Sequence, residues 1–441
     1  MRMFPRHRGV RVRVIYLLLA LIVVYALFSS VALNALLPRS AVLEHPLFLA
    51  ASNGDVEAIN AYFKQFGERG LSVTLHGETA LFAAAKSGQV EAVRLLAQLG
   101  LDVNQCDSDG RSPSLIASQN GHTAVVEQLI RLHADLQKTA KNSLSALMVA
   151  AHHGHADVVS LLIKHGLKVK KKDASGKNTL YFAAESGSVS TVTAVLDAGA
   201  GVNAVLKGGR FAIELAALNG HVDVCKFLLN RGANASVTSR LTMSTLAERG
   251  DVDVIKLLTS HGVSIGSRFK DGKTMLYAAA RNNRTELVLL LLSLGGNMSS
   301  RTNDGQTLLH GAAKGNSDSI IKILAMRGLD INAKSRGGTT PLYLSASYGT
   351  MAALKMLIAL GANVSIANDL GQTPLYAAAM NGFTDSAQAL LQRNANVNQA
   401  SRGGMTPLSV AAREGHTEVA VLLANHGANV STTDSAGKSA L

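Results

Sequence analysis

Residues 404–430 read GMTPLSVAAREGHTEVAVLLANHGANV, and the architecture of the chain follows from them. Gly404 lies two residues before Thr406, where a tight turn needs positive φ. Pro407 sits in a first helical turn, where no N–H is missed. The Ala411-Ala412 pair lets a first helix approach its neighbours, Gly415 separates it from a second helix, and Leu422-Leu423 buries the second helix's face. Steps of 33 residues back from Thr406 reach Thr373, Thr340, Thr307, Thr274 and Leu241. A step of 30 then gives Phe211, further steps of 33 give Asn178, Ser145, Ser112 and Thr79, and one of 34 gives His45. The spacing therefore predicts twelve helix pairs, with residues 439–441 opening a thirteenth. No such unit buries its apolar face alone, so neighbours must stack.

With Thr-Pro-Leu at 340–342, 373–375 and 406–408, and Gly-Ala-Asn-Val at 427–430, the chain resembles the ankyrin repeat from about residue 43 to its end. The resemblance implies an all-α repeat solenoid, each unit a hairpin loop plus two antiparallel helices, stacked into a curved, monomeric rod. It also implies that proteins bind along the concave inner helices and the hairpin tips. Those inner positions are pairs such as Lys86/Ser87, Gln119/Asn120, Glu185/Ser186, Arg281/Asn282, Ser347/Tyr348 and Arg413/Glu414.

Three departures from the pattern carry expectations. The unit at Phe211 is three residues short, and the next opens at Leu241 with Leu246 where Ala is expected, so the hairpin from Asn234 to Leu241 is clipped and forms a weak point or bend. Asn283 and Asn316 replace the glycine between helices, which Asn tolerates in the left-handed region. After Gly437-Lys438 no further helices follow, so either the last hairpin covers the final helices or the chain continues beyond residue 441.

Composition agrees with stacked thin helices. Hydrophobic residues make up 47% of the 441 positions, yet aromatics are 4% and Trp is absent, so the core must be built from Ala, Leu and Val. The net charge is +13, and Arg2, Arg6, Arg8, Arg11, Arg13 and Arg39 all precede the first acid, Glu44. Behind the first five of these arginines, residues 14–37 (VIYLLLALIVVYALFSSVALNALL) carry no charge, enough at about 1.5 Å per residue to cross a bilayer. This reads as a transmembrane signal anchor through Val14, Leu17, Leu21, Val24, Leu27 and Leu33, with the N-terminus cytosolic by the positive-inside rule. A cleaved signal at Ser30-Val31-Ala32, exporting the rod, and a mitochondrial leader are the rival readings. The organisation is then a basic tail at 1–13, an anchor at 14–37, a linker at 38–44, repeats one to six at 45–240, repeats seven to twelve at 241–438, and the unfinished unit.

Features that resemble catalytic chemistry have repeat explanations. His155 stands at the Gly-His position of the repeat, as His122, His221 and His416 do, so the His152-His153-His155 run is not read as a metal site. Asp271-Gly272-Lys273-Thr274 lacks the upstream glycine of a phosphate loop, since Ser267 stands there. Tyr181, Tyr277, Tyr343 and Tyr376 are read as packing beneath hairpins. Cys106 and Cys225 are three to four units apart, about 30 Å at 8–10 Å per helix layer, and should be free thiols. Sequons at Asn234, Asn283, Asn297, Asn363 and Asn429 follow mostly from the repeat's own ending.

The central hairpins are basic: Lys168, Lys170, Lys171, Lys172, Lys177, Lys207, Arg210, Arg240, Arg268, Lys270 and Lys273, with Asp173 and Asp271 the acids among them. A solvated edge is one reading and a strip for an acidic protein or anionic headgroups the other. Together with Arg281, Tyr348 and Arg413 on inner helices, these residues form the candidate partner surface. Nucleic acid is disfavoured by the lack of interleaved aromatics. The expected function is a non-catalytic protein-binding scaffold at a membrane, with no cofactor; the regulatory part of a longer membrane enzyme is the alternative.

Overall fold

The computed structural model describes residues 45–269, 271–433, 435 and 437. Among them are twenty-four α-helices and no strand beyond isolated bridges. No helix of the described residues is long and apolar enough to cross a membrane; the expected anchor at 14–37, the linker at 38–44 and the opening of a thirteenth unit at 439–441 lie outside them.

The fourth unit shows how the repeat is built. Ser145 ends the hairpin, and its hydroxyl accepts the Met148 N–H at 3.3 Å, capping helix Ala146–His152. Such a cap stabilises a helix by about 1 kcal/mol. Thr79, Ser112, Asn178, Thr274, Thr340, Thr373 and Thr406 cap their helices in the same way. The first helix is buried nearly all round, through Ala146, Leu147, Met148, Ala150 and Ala151. Helix Ala156–Lys164 follows and buries only Val158, Val159 and Leu162, leaving its other face to solvent. Asn283 and Asn316 take φ 55° where most other units have glycine between the helices.

The chain divides into two compact units, Met1–Ala212 and Ile213–Leu441. In the first, helices Pro46–Asn53, Ala80–Lys86, Pro113–Gln119, Ala146–His152 and Thr179–Ser186 pack side by side in that order. In the second, Arg240–Arg249, Met275–Arg281, Leu308–Lys314, Pro341–Tyr348, Pro374–Met380 and Pro407–Glu414 do the same.

One expected boundary moves. The seventh unit opens at Ser239, not Leu241: the Ser239 hydroxyl accepts the Thr242 N–H at 3.2 Å and caps a ten-residue helix, Arg240–Arg249. Leucine has no acceptor for the orphan N–H groups of a helix start, and Leu241 instead lies 70% exposed on the first turn. A single 3-10 turn, Ala235–Val237, is all that stands between Asn234 and the new cap. Leu246, where Ala was expected, is fully buried.

Candidate partner-binding surface

The hairpins obey a side-chain grammar. Two residues beyond the turn that ends the second helix stands Asp or Asn in most units: Asp102, Asp135, Asn234, Asn297, Asp330, Asn363, Asn396 and Asn429. Each accepts the N–H two residues on, at 2.8–3.0 Å, and so fixes the turn. Two residues further, Asn104, Asn332 and Asn398 accept the N–H of Asp135, Asn363 and Asn429 in the next repeat, at 2.7–2.9 Å.

In the fourth unit these two places belong to Lys168 and Lys170, which have no acceptor to offer. The backbone turn persists, with Lys171 N–H donating to the Lys168 carbonyl at 3.2 Å. Lys168, Lys170, Lys171 and Lys172 are all exposed, and among the described residues none has a carboxylate within 4 Å. Asp173 is occupied by its own hairpin, accepting Lys177 N–H at 2.7 Å and the Ser175 hydroxyl at 2.9 Å. Lys177 stands 4.4 Å from the Tyr181 ring centroid, and the side chain of Lys207 lies over Gly176 of the preceding hairpin. Arg210 is exposed and closes its hairpin through its carbonyl, which accepts Leu206 N–H at 2.7 Å. Beside Lys168 and Lys170 runs a groove of about 370 Å³ floored by Ile163, Leu167, Val169 and Ala198. The first unit therefore sets Lys168 and Lys170 of one hairpin at an apolar groove, with Lys207 of the next hairpin over Gly176.

In the second unit the expected residues are more dispersed. Arg240 is exposed on its helix's first turn, Arg268 donates to the Arg301 carbonyl at 2.9 Å, and Lys273 pairs with Asp271 at 2.8 Å. Lys270 lies outside the described residues. On the inner helices Arg281 is exposed, Tyr348 is 53% exposed, and Arg413 is held by Glu414 at 2.7 Å. Sequence reasoning passed over Lys314, whose Nζ stands 5.4 Å from the Tyr348 ring centroid. Its signal was available, because Lys314 holds the same place in its unit as Arg281 does in the one before.

The chemistry-like motifs have structural duties. His155 Nε2 donates to the Gln119 carbonyl of the preceding unit at 3.0 Å, and its ring leaves no room for a side chain on Gly121, where a Cβ would lie 2.6 Å from Nδ1. His122 and His416 bond to the Lys86 and Met380 carbonyls in the same way. Among the described residues no group of three His, Cys, Asp or Glu side chains could hold a metal ion. Gly272 sits at φ 69° in a hairpin tip against Asn303. Tyr181, Tyr277, Tyr343 and Tyr376 are buried under their hairpins. Both cysteines are free thiols, and burial pushes the Cys225 thiol up to about 12, which leaves it unreactive.

A family model described as ankyrin repeats (3 copies) matches residues 47–140, 114–206, 176–240, 243–335, 319–401 and 342–434. No curated protein matches the chain.

Proposed function

The chain belongs to the ankyrin-repeat family, and from that premise we propose that it is a non-catalytic scaffold that captures an acidic protein on the lysine hairpins of its first unit while tethered to a membrane. Ankyrin repeats indicate protein partners. The observation that carries the choice of surface is the pair of exposed lysines at two places where eight other units set a turn-fixing Asp or Asn at the first and three set an Asn bonded to the next repeat at the second. Each forgone hydrogen bond costs about 0.5–1.5 kcal/mol, and the lysines return no bond within the described residues. The groove floored by Ile163 and Val169 adds apolar contact that a protein ligand can use and a counter-ion cannot.

The tether is residues 14–37, with Arg2, Arg6, Arg8, Arg11 and Arg13 on the cytosolic side and the repeats across the membrane. All five sequon asparagines are exposed, so a glycosidase-sensitive mobility shift in a eukaryotic host is expected. A chain released from membranes by alkaline carbonate would end the tether reading.

Partner capture is tested with Lys170→Glu, Lys171→Glu and Lys172→Glu combined. Three surface pairs at roughly 0.5–1 kcal/mol each predict a loss of about ten- to a hundredfold in affinity and a shallower salt dependence. Unchanged affinity and salt slope in a pull-down titration would remove the strip.

A further inference from the structure

The second unit carries a separate pattern at the ends of three successive first helices. Arg281 closes Met275–Arg281, Lys314 closes Leu308–Lys314 in the same register, and Tyr348 closes Pro341–Tyr348. These helices pack in that order. The first two approach very closely, because Gly315 follows Lys314 and a Cβ there would collide with the Arg281 carbonyl. Backbone packing, and no counter-ion, draws the two cations together. Among the described residues neither has a carboxylate within 4 Å. Lys314 is partly buried, with its Nζ beside the half-exposed ring of Tyr348. Burial lowers its pKa, and the nearby Arg281 and Lys273 lower it further, with Asp304 opposing. A partly desolvated ammonium repelled by two cations raises the free energy of the unbound protein, and an incoming anion relieves it.

The spacing selects the anion. Packed helices lie about 8–10 Å apart, and extended chain advances roughly 3.3 Å per residue. Cations one helix apart therefore match two carboxylates two or three residues apart better than the clustered oxygens of one phosphate. We propose that this row binds an extended acidic peptide: two Asp or Glu side chains, two or three residues apart, on Arg281 and Lys314, and an aliphatic or aromatic side chain two or three residues further on against Tyr348. The inference rests on the scaffold reading only in taking the partner to be a polypeptide, and it uses different residues in a different unit.

Random decapeptides displayed on phage are selected on the full-length chain in detergent micelles. The recovered peptides are then measured by fluorescence polarisation against wild type, Arg281→Glu, Tyr348→Ser, Lys314→Met and the Lys170/Lys171/Lys172 triple variant. Peptides with the stated spacing are expected, weakened at least tenfold by Arg281→Glu and severalfold by Tyr348→Ser, and unchanged by the triple variant. Arg281 and Tyr348 are exposed, so their variants carry the test even if Lys314→Met does not fold; matching thermal melts verify this. Peptides without an acidic pair, or affinities that Arg281→Glu and Tyr348→Ser leave unchanged, overturn the inference. Acidic peptides lost only on the triple variant would leave the hairpin reading standing and this one refuted.

Discussion

In four units the residue at the third place after the repeat's start reaches a group of the next unit. Tyr277 donates its hydroxyl to Gln306 Oε1 at 2.6 Å, Tyr343 to Gln372 Oε1 at 3.0 Å, and His310 Nε2 to the Thr339 carbonyl at 2.9 Å. Glu214 inverts the polarity, accepting Ser239 N–H at 2.6 Å and the Thr242 hydroxyl at 3.2 Å. His310 is fully buried, and desolvation pushes its pKa down from 6.5 to about 4. Because the folded value lies below the unfolded one, the unfolded chain takes the proton first as pH falls. His310's contribution is complete above pH 6.5 and is lost on the way down to about 4, an effect of roughly 3 kcal/mol. His310→Tyr, which installs the residue of neighbouring units, should flatten this slope; urea midpoints at pH 7 and 4.5 for the two proteins measure it. Glu214→Ala strands the Ser239 N–H and should cost about 1–3 kcal/mol, seen as faster hydrogen exchange across Arg240–Arg249. The carboxylate was invisible as a joint in the sequence, since its partner lies 25 residues away behind a shortened hairpin.

At the scale of the element, helix starts follow the repeat because capping is local chemistry. Thr, Ser or Asn at the repeat's fixed position accepts an N–H three residues on. The 33-residue step expects the seventh unit to open at Leu241, but its cap stands two residues upstream at Ser239, a side chain with an acceptor. The hairpins were legible as basic but not as compromised. The cost of Lys168 and Lys170 shows against the eight units whose Asp or Asn fixes the turn and the three whose Asn bonds the next repeat. Restoring that grammar supplies a test: Lys168→Asp with Lys170→Asn should stabilise the fourth hairpin by about 0.5–1.5 kcal/mol per bond gained while weakening capture of the acidic partner. Hydrogen exchange across residues 168–172 reads the first effect and a pull-down the second.

At the scale of the molecule, each unit is a stack of thin layers whose stability is close to a sum over neighbours. Leu162 is fully buried between layers of the first unit, and Leu162→Ala should cost about 2–5 kcal/mol. Protection against exchange should fall in Thr123–Arg131, Ala156–Lys164 and Val189–Asp197 and stay unchanged in Thr417–Asn425. A uniform loss along the chain would mean one cooperative body. The low aromatic content belongs to this scale too, since Ala83, Ala84 and their counterparts are buried against neighbouring helices that larger side chains would hold apart.

The helix pairs and the positive-φ turns were determined by the sequence alone, because the 33-residue step repeats and each turn depends on residues close in the chain. Which polar groups are spent between units was decided by tertiary structure. His155 on Gln119, Asn104 on Asp135 and Glu214 on Ser239 join residues 25 to 36 apart. The same holds for the convergence of Arg281, Lys314 and Tyr348. How near they come depends on how closely their helices pack, and glycines at 311 and 315 set that distance by the side chains they lack.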